Sequence, residues 1–428
     1  MMVMLLLSLL ALTLVQDPPQ SEPTPAPAVT EEKEQGPLLD PPLRRLALSL
    51  RRAESPPEDR TNRFADDPAA AQLGQLLFFD VGLSGDGKSS CATCHRPDQQ
   101  LVDGKTHPRG FNQIPRDTPT LHDVASHRWW GWDGRWDSLW MQALGPIEEV
   151  DEMAGDRLKV LRYLTATKEL LQRYQAIFGT LPDLKSLPER AIEAGEPTAG
   201  WKALSEVRRR QLNRAFTNIG KAIAAYERTL RGPVTPFDHY LDALAANDLQ
   251  VAAEYPISAR RGLILFLGKA QCIRCHGGPM LSDGEFHDTG ILTSGRTARD
   301  AGRYGGIQEL RAHPFRSGGE YSDDRQGDRA SRTERLQRDA ALWGAFRTSS
   351  LRYLVGTAPY FHDGGMADLR SVIRFYTWRQ GARPTGAGHS HQGETMLTRI
   401  RLTRQEEDDL IYFLESLSAV DSSSTPDD

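Results

Sequence analysis

All four cysteines of the chain fall in two five-residue motifs, "CATCH" at Cys91–His95 and "CIRCH" at Cys272–His276. A zinc ribbon would set its two C-x-x-C knuckles about 15–20 residues apart. Here the pairs are far apart and each is followed at once by histidine. C-x-x-C-H is the attachment signature of c-type haem: the two thiols add to the porphyrin vinyl groups and the adjacent imidazole meets the iron. Two such motifs that use every cysteine imply two covalent haems, on Cys91, Cys94 and His95 and on Cys272, Cys275 and His276. The alternative is two redox or disulfide pairs.

A chain of 428 residues has room for two or three domains of roughly 150 residues each. The net charge of -5 argues against a nucleic-acid partner, which calls for a basic patch. The opening "MMVMLLLSLLALTLV" is apolar and too short to span a bilayer. It reads as the core of a secretory signal over residues 1–16, although no Lys or Arg precedes it, and retention as an anchor is the alternative. The expected location is the periplasm. Residues 17–42, rich in Pro and Glu, cannot bury a core and read as a disordered tether. The expected domains are an N-terminal haem domain over 43–235 and a C-terminal one over 236–421, with a disordered tail at 422–428.

Helical patterning dominates, so the expected class is mainly α: two c-type cytochrome domains with long loops and little β. "DDPAAAQLGQLLFFD" reads as a helix capped at Asp66–Asp67 with Pro68 in its first turn, and "PISARRGLILFLGKAQ" takes the same place before the second motif. Each haem motif thus follows a helix with a Leu-Phe pair, which points to a duplication. "LSEVRRRQLNRAFTNIGKAIAAYERTLRG" reads as a long helix stopped by Gly232 and bridging the domains. "TRQEEDDLIYFLESLS" begins with a Thr cap and acidic first turns. Residues Arg303–Arg335, highly charged and poor in large apolar side chains, read as a solvated insertion or a partner-docking segment.

Five landmarks appear in chain order: "LGQLLFFDVGLSGDGKSSCATCH", "RDTPTLHDV", "GWDGRWDSLWMQALGPIEEVDEM", the second C-x-x-C-H, and "ALWGAFRTSSLRYLVGTAPYFHDGG". Together they resemble the bacterial di-haem cytochrome c peroxidases, a superfamily that includes MauG-like enzymes and the di-haem enzymes of methanobactin operons. The resemblance implies an N-terminal haem that meets hydrogen peroxide and a C-terminal haem that relays electrons. It also implies a calcium ion between the domains, held by Asp117 (usually Asn) and the carbonyls of Thr357 and Pro359. On residues alone, Asp117 could equally be a turn or helix cap.

Peroxide cleavage needs a proton moved between the two oxygens, work for a carboxyl of raised pKa. The resemblance assigns it to Glu152 in "GPIEEVDEM", with Gln142 holding water or peroxide and Pro146 on the haem face. Glu149 and Val150 stand where the family has Asn-Pro. The stretch "HRWWGWDGRWDSLW" holds five of the eight tryptophans. By resemblance Trp132 lies between the haems and carries electron holes. Trp132, Trp136 and Trp140 recur every four residues and read as a helical packing stripe, with Trp129 and Trp130 as wall or surface.

Two positions decide the branch. Donor-driven peroxidases give the second haem a Met fourteen residues after the His of "YFHDG"; here that residue is Tyr376, as in MauG-like proteins. A phenolate favours higher oxidation states. The alternatives are Met366 or Met396. The loop before "RDTPT" carries Arg109 where many family members place a blocking histidine, with His107 the alternative if the alignment takes a gap; His122 and His127 read as structural.

An open first haem and a Tyr-ligated second haem suit two ferryl irons that oxidise residues of a partner protein at long range. The alternatives are reduction of peroxide with electrons from a small cytochrome or cupredoxin, and a pure electron carrier. The partners expected are hydrogen peroxide and a protein substrate or donor, with a homodimer as a further family expectation.

Overall fold

The computed structural model describes residues 39–193, 195–291, 300–378 and 400–419. The expected signal and most of the tether, together with Met396 and the 422–428 tail, lie outside the described residues. The first half contributes α1 (Pro41–Leu48), α2 (Pro68–Phe79), α3 (Cys91–Cys94), α4 (Leu139–Glu148), α5 (Arg157–Ala166), α6 (Lys168–Phe178), α7 (Ala199–Ala203) and α8 (Glu206–Glu227). The second contributes α9 (Pro236–Ala246), α10 (Leu249–Ala252), α11 (Ile257–Leu267), α12 (Arg303–Ala312), α13 (Asp328–Glu334), α14 (Leu369–Trp378) and α15 (Arg404–Glu415). Among the described residues, strand is confined to two antiparallel two-residue ladders, Ile192–Glu193 with Glu196–Pro197 and Phe286–His287 with Phe346–Arg347. The mainly α expectation holds, and no described helix is long and apolar enough to cross a membrane.

Capping chemistry sets the helix starts. The Asp67 carboxylate accepts from the N–H groups of Ala69 and Ala70 at 2.7 and 3.1 Å, with Pro68 leading α2. Thr403 and Glu406 close a reciprocal capping box at α15. Helix α1 starts at Pro41 on an Asp40 cap, inside the stretch read as tether.

Two apolar cores form, built on the same plan. In one, α2 crosses α8; in the other, α11 crosses α15. Each crossing is closed by a glycine on the helix before a C-x-x-C-H motif. A Cβ on Gly74 would lie 1.9 Å from the Ala222 carbonyl oxygen, and one on Gly262 2.0 Å from that of Asp409. No side chain fits either place.

The halves are interleaved rather than consecutive. Ala47 and Leu50 at the N-terminal end join the second core. Leu310, Phe315 and Tyr321 join the first core, so Arg303–Arg335 is no solvated insertion. Its anchor is Asp137, fully buried, whose carboxylate accepts from the Ser317 N–H and hydroxyl and the Thr333 hydroxyl. Helix α8 ends at Glu227, before Gly232, and its buried residues belong to the first core, so it does not bridge domains.

The duplication is explicit in a repeated turn. Trp130 bridges Trp136 and Tyr360 bridges Met366, each pair enclosing Asp-Gly with the glycine at positive φ. In each turn the aspartate accepts from the N–H two residues on, Arg135 at 3.1 Å and Gly365 at 3.0 Å. The tryptophan spacing is therefore not a helical stripe: only Trp140 lies in α4, and Trp129 and Trp130 are buried, not surface.

Gly74→Ala and Gly262→Ala should each lower unfolding free energy by about 1–3 kcal/mol, the usual toll of overpacking, read by denaturant titration of far-UV circular dichroism. An unchanged midpoint for either would show that the crossing can open without loss.

Candidate functional site

The two motif histidines are held alike. His95 Nδ1 lies 3.1 Å from the Leu101 carbonyl oxygen, and His276 Nδ1 lies 3.0 Å from that of Leu281. Both leucines sit at positive φ, 58° and 47°, a strained setting for a branched residue that aims the carbonyl at the ring. Burial lowers both imidazole pKa values. Each ring is thus a neutral imidazole donating from Nδ1 and leaving Nε2 as a lone-pair donor, the arrangement an iron ligand requires.

Cys272, Cys275 and His276 open on a cavity of about 280 Å³. Tyr376 on α14 lines it too, beside Ile373, Leu410 and Leu414, and so do Trp132 and His362. Met366 is tied into the second turn by its bridge to Tyr360 and does not line the cavity. Burial pushes the Tyr376 phenol well above its ordinary value, so an ionised phenolate there requires a strong positive charge next to it. The cavity's thiols, imidazole and apolar walls fit a covalent haem.

Trp132 stands in the first turn where His362 stands in the second, and their rings meet edge to face at 6.4 Å. The Trp132 indole N–H donates to the Asp117 carbonyl at 2.8 Å. Two backbone bonds then cross between the halves: the Asp117 N–H to the His362 carbonyl at 2.9 Å and the Arg347 N–H to the Trp132 carbonyl at 2.8 Å. Asp133, next in the chain and buried, sits between Arg116 and Arg135, each at 2.7 Å, and these guanidiniums hold its carboxyl well below the usual range despite burial. Arg303, inserted between Trp129 and Phe286 at 4.4 and 4.0 Å, donates to the Gly134 carbonyl at 2.7 Å. Breaking such a buried network costs about 3–5 kcal/mol, so the turn is rigid.

The first haem motif faces a second set of groups. Gln142 on α4 has a buried Oε1 without a hydrogen-bond partner. Pro146 lies one turn on, and each of Pro146 and Tyr376 follows the first residue of its turn, Trp130 or Tyr360, by sixteen residues. The two are thus the same position of the repeat. The Glu152 carboxyl is pushed up to about 7 by burial, then by Glu149 and Asp151, with Arg135 and Arg116 pulling the other way. Its charge reaches the Cys91 and Cys94 thiols. The preceding loop packs on this segment: the Phe111 and Asn112 N–H groups donate to the Glu152 and Asp151 carbonyls. On that loop the Arg109 side chain is exposed, while His107 is half-buried with an Nδ1 that has no partner. An orphaned amide and a high-pKa carboxyl fit the open side of a haem.

Asp117, Thr357 and Pro359 line the same cavity as Tyr376. Burial, followed by the Asp103 and Asp363 carboxylates, raises the Asp117 carboxyl to about 8. Sequence reasoning missed Asp103 and Asp363. Asp363 was within reach of the repeat, since it mirrors Asp133. His127, read as structural, lines the cavity with its Nδ1 3.4 Å from the Arg347 guanidinium.

Residues 68–245 match the family described as di-haem cytochrome c peroxidase. The chain is 30% identical to the methylamine utilization protein MauG of Methylorubrum extorquens, over 88% of this chain and 85% of that one. It is 31% identical to the cytochrome-c peroxidase IdrP1 of Denitromonas iodatirespirans, over 83% of each. Among solved structures it superposes on a MauG-like protein associated with microbial copper homeostasis, with a TM-score of 0.59 and 26% identity over 86% of this chain and 93% of that one.

Produced with a haem-attachment system, the protein should carry two haems per chain by pyridine haemochrome assay. Cys91→Ala with Cys94→Ala, and Cys272→Ala with Cys275→Ala, should each carry one. Two haems retained in either double variant would sink the assignment of that motif.

Proposed function

The chain belongs to the di-haem cytochrome c peroxidase family, and from that premise we propose that it uses hydrogen peroxide to oxidise residues of a partner protein at long range, as an exported enzyme. It is a haem oxidoreductase in a family of peroxide users, which rules out the pure electron carrier. The observation that carries the finer reading is Tyr376, which faces the same cavity as His276 while Met366 does not.

When bound, the two haems supply peroxide cleavage and storage of the two oxidising equivalents it yields. Glu152 would take a proton from peroxide and return it to the oxygen that leaves as water; a carboxyl near pKa 7 is suited to both acts. Gln142 turns its free amide oxygen to hold the incoming molecule. Pro146 offers no donor or ligand, whereas Tyr376 at the equivalent position would supply a hard oxygen ligand to the second haem, its ionisation sustained by the positive charge of the bound group. Trp132, packed on His362 at the junction of the halves, passes electrons between them. Arg109 leaves the first haem unblocked, and His107 is the residue that would block it. Asp117, with the Thr357 and Pro359 carbonyls, presents hard oxygens beside two further carboxylates, a donor set that fits calcium.

The relatives named as cytochrome-c peroxidases favour a second reading, reduction of peroxide with electrons from a small donor protein. One equivalent of hydrogen peroxide added to the fully ferric protein separates the two. Loss of both ferric electron-paramagnetic-resonance signals without reductant is expected, and Tyr376→Met should abolish it at the second haem. Signals that persist until one haem is reduced would establish the donor-driven reading instead.

The proton-accepting form of Glu152 is the carboxylate. The rate of reaction with peroxide should therefore rise with pH through about 7 and level off above it. Glu152→Gln should slow the reaction by about 10²–10⁴-fold and remove the inflection, as stopped-flow absorbance would show. A slow variant that keeps the inflection would point to another titrating group.

A further inference from the structure

Tyr353 and Asp123 occupy one position of the repeat, each seven residues before the first residue of its turn. They face one another across the junction of the halves: the Tyr353 hydroxyl donates to Asp123 Oδ2 at 2.7 Å. Only 1 % of Tyr353 and 3 % of Asp123 are exposed. Arg52 and Arg231 reach the other carboxylate oxygen at 2.9 and 3.1 Å. Both residues take positive φ, 66° and 54°, an expense in strain that brings the two side chains together.

This pair is connected to both haem sites. The His122 ring lies 5.1 Å from the Tyr353 ring and lines the cavity of the second motif. His122 Nε2 meets Gln100 Oε1 at 3.2 Å, next to the Leu101 that holds His95. Arg352 and Leu354, the chain neighbours of Tyr353, line the cavity themselves. Gly232 closes the ring from another side, where a Cβ would lie 2.1 Å from its Cζ.

A buried tyrosine can lose an electron only if its proton has an acceptor, because the oxidised phenol is a strong acid. Trp132 has none, since its N–H points at an amide carbonyl. Tyr353 has an aligned carboxylate. Resting on the peroxide reading above, we propose that Tyr353 is a redox station of the loaded enzyme. It gives one electron to the peroxide-oxidised haem pair while its O–H bond breaks and the proton bonds to Asp123 Oδ2, leaving a neutral tyrosyl radical beside a carboxylic acid. Return of one electron reverses both transfers. Trp132 passes a hole on, and Tyr353 stores one out of reach of solvent.

The test is freeze-quench electron paramagnetic resonance after one equivalent of hydrogen peroxide. Protein with ordinary tyrosine is compared with protein labelled throughout with ring-deuterated tyrosine. Both ferric signals should vanish first; a free-radical signal that narrows on deuteration should then appear as the electron given by Tyr353 restores part of the ferric intensity. It should be lost in Tyr353→Phe and in Asp123→Asn, in which the ferric signals still vanish. If a variant fails to load haem, 3-fluorotyrosine placed at position 353 alone by amber suppression keeps the phenol and assigns the radical to that ring by the added fluorine splitting. Ferric signals that vanish with no tyrosine-derived radical, or with one that survives Tyr353→Phe, overturn the station alone. Ferric signals that never vanish overturn the peroxide reading, and the station with it.

Discussion

Two backbone hydrogen bonds, Asp117 to His362 and Arg347 to Trp132, hold the halves in register. Each runs from the strand-like stretch of one half to the turn of the other, so the pair is reciprocal under the repeat. Main-chain bonds of this kind tolerate side-chain change, which lets the surrounding residues diverge while the spacing between the two metal sites stays fixed. The Asp133 network and the Arg303 clamp stiffen one turn, and the stacking of His362 on Phe346 at 3.6 Å stiffens the other.

On that common frame the two sites differ at few positions. Pro146 against Tyr376 decides whether a side chain can ligate, and Trp132 against His362 decides which turn carries an oxidisable ring. Asp123 against Tyr353 turns what would be two like residues into an acid–base pair. The differences are local, yet each changes what electrons and protons can do.

Much of this could be read from the sequence where chemistry is local. The haem motifs and the Asp67 and Thr403 caps needed only short-range pattern, whereas Glu152, Gln142 and Tyr376 were singled out by the resemblance. Three readings failed because composition does not report long-range pairing. The charged stretch Arg303–Arg335 folds because its arginines find aromatic faces and carbonyls, and because Asp137 receives Ser317 and Thr333. The four-residue tryptophan spacing belongs to a bridged turn that happens to share a helical period. Gly232, read as a helix stop, is a contact plate for Tyr353. Asp103 carried no local signal, since only the fold brings its charge to Asp117.

The interleaving of the cores bears on how the molecule is made. The first core is incomplete until Leu310, Phe315 and Tyr321 arrive, and the Asp137 carboxylate lacks these partners until Ser317 and Thr333 do. As the chain emerges from its N-terminus, the first C-x-x-C-H motif precedes those residues by more than half the polypeptide. The core that carries the first motif therefore cannot close as an autonomous N-terminal unit: α2 and α8 are locked only once residues from the far half of the chain are in place.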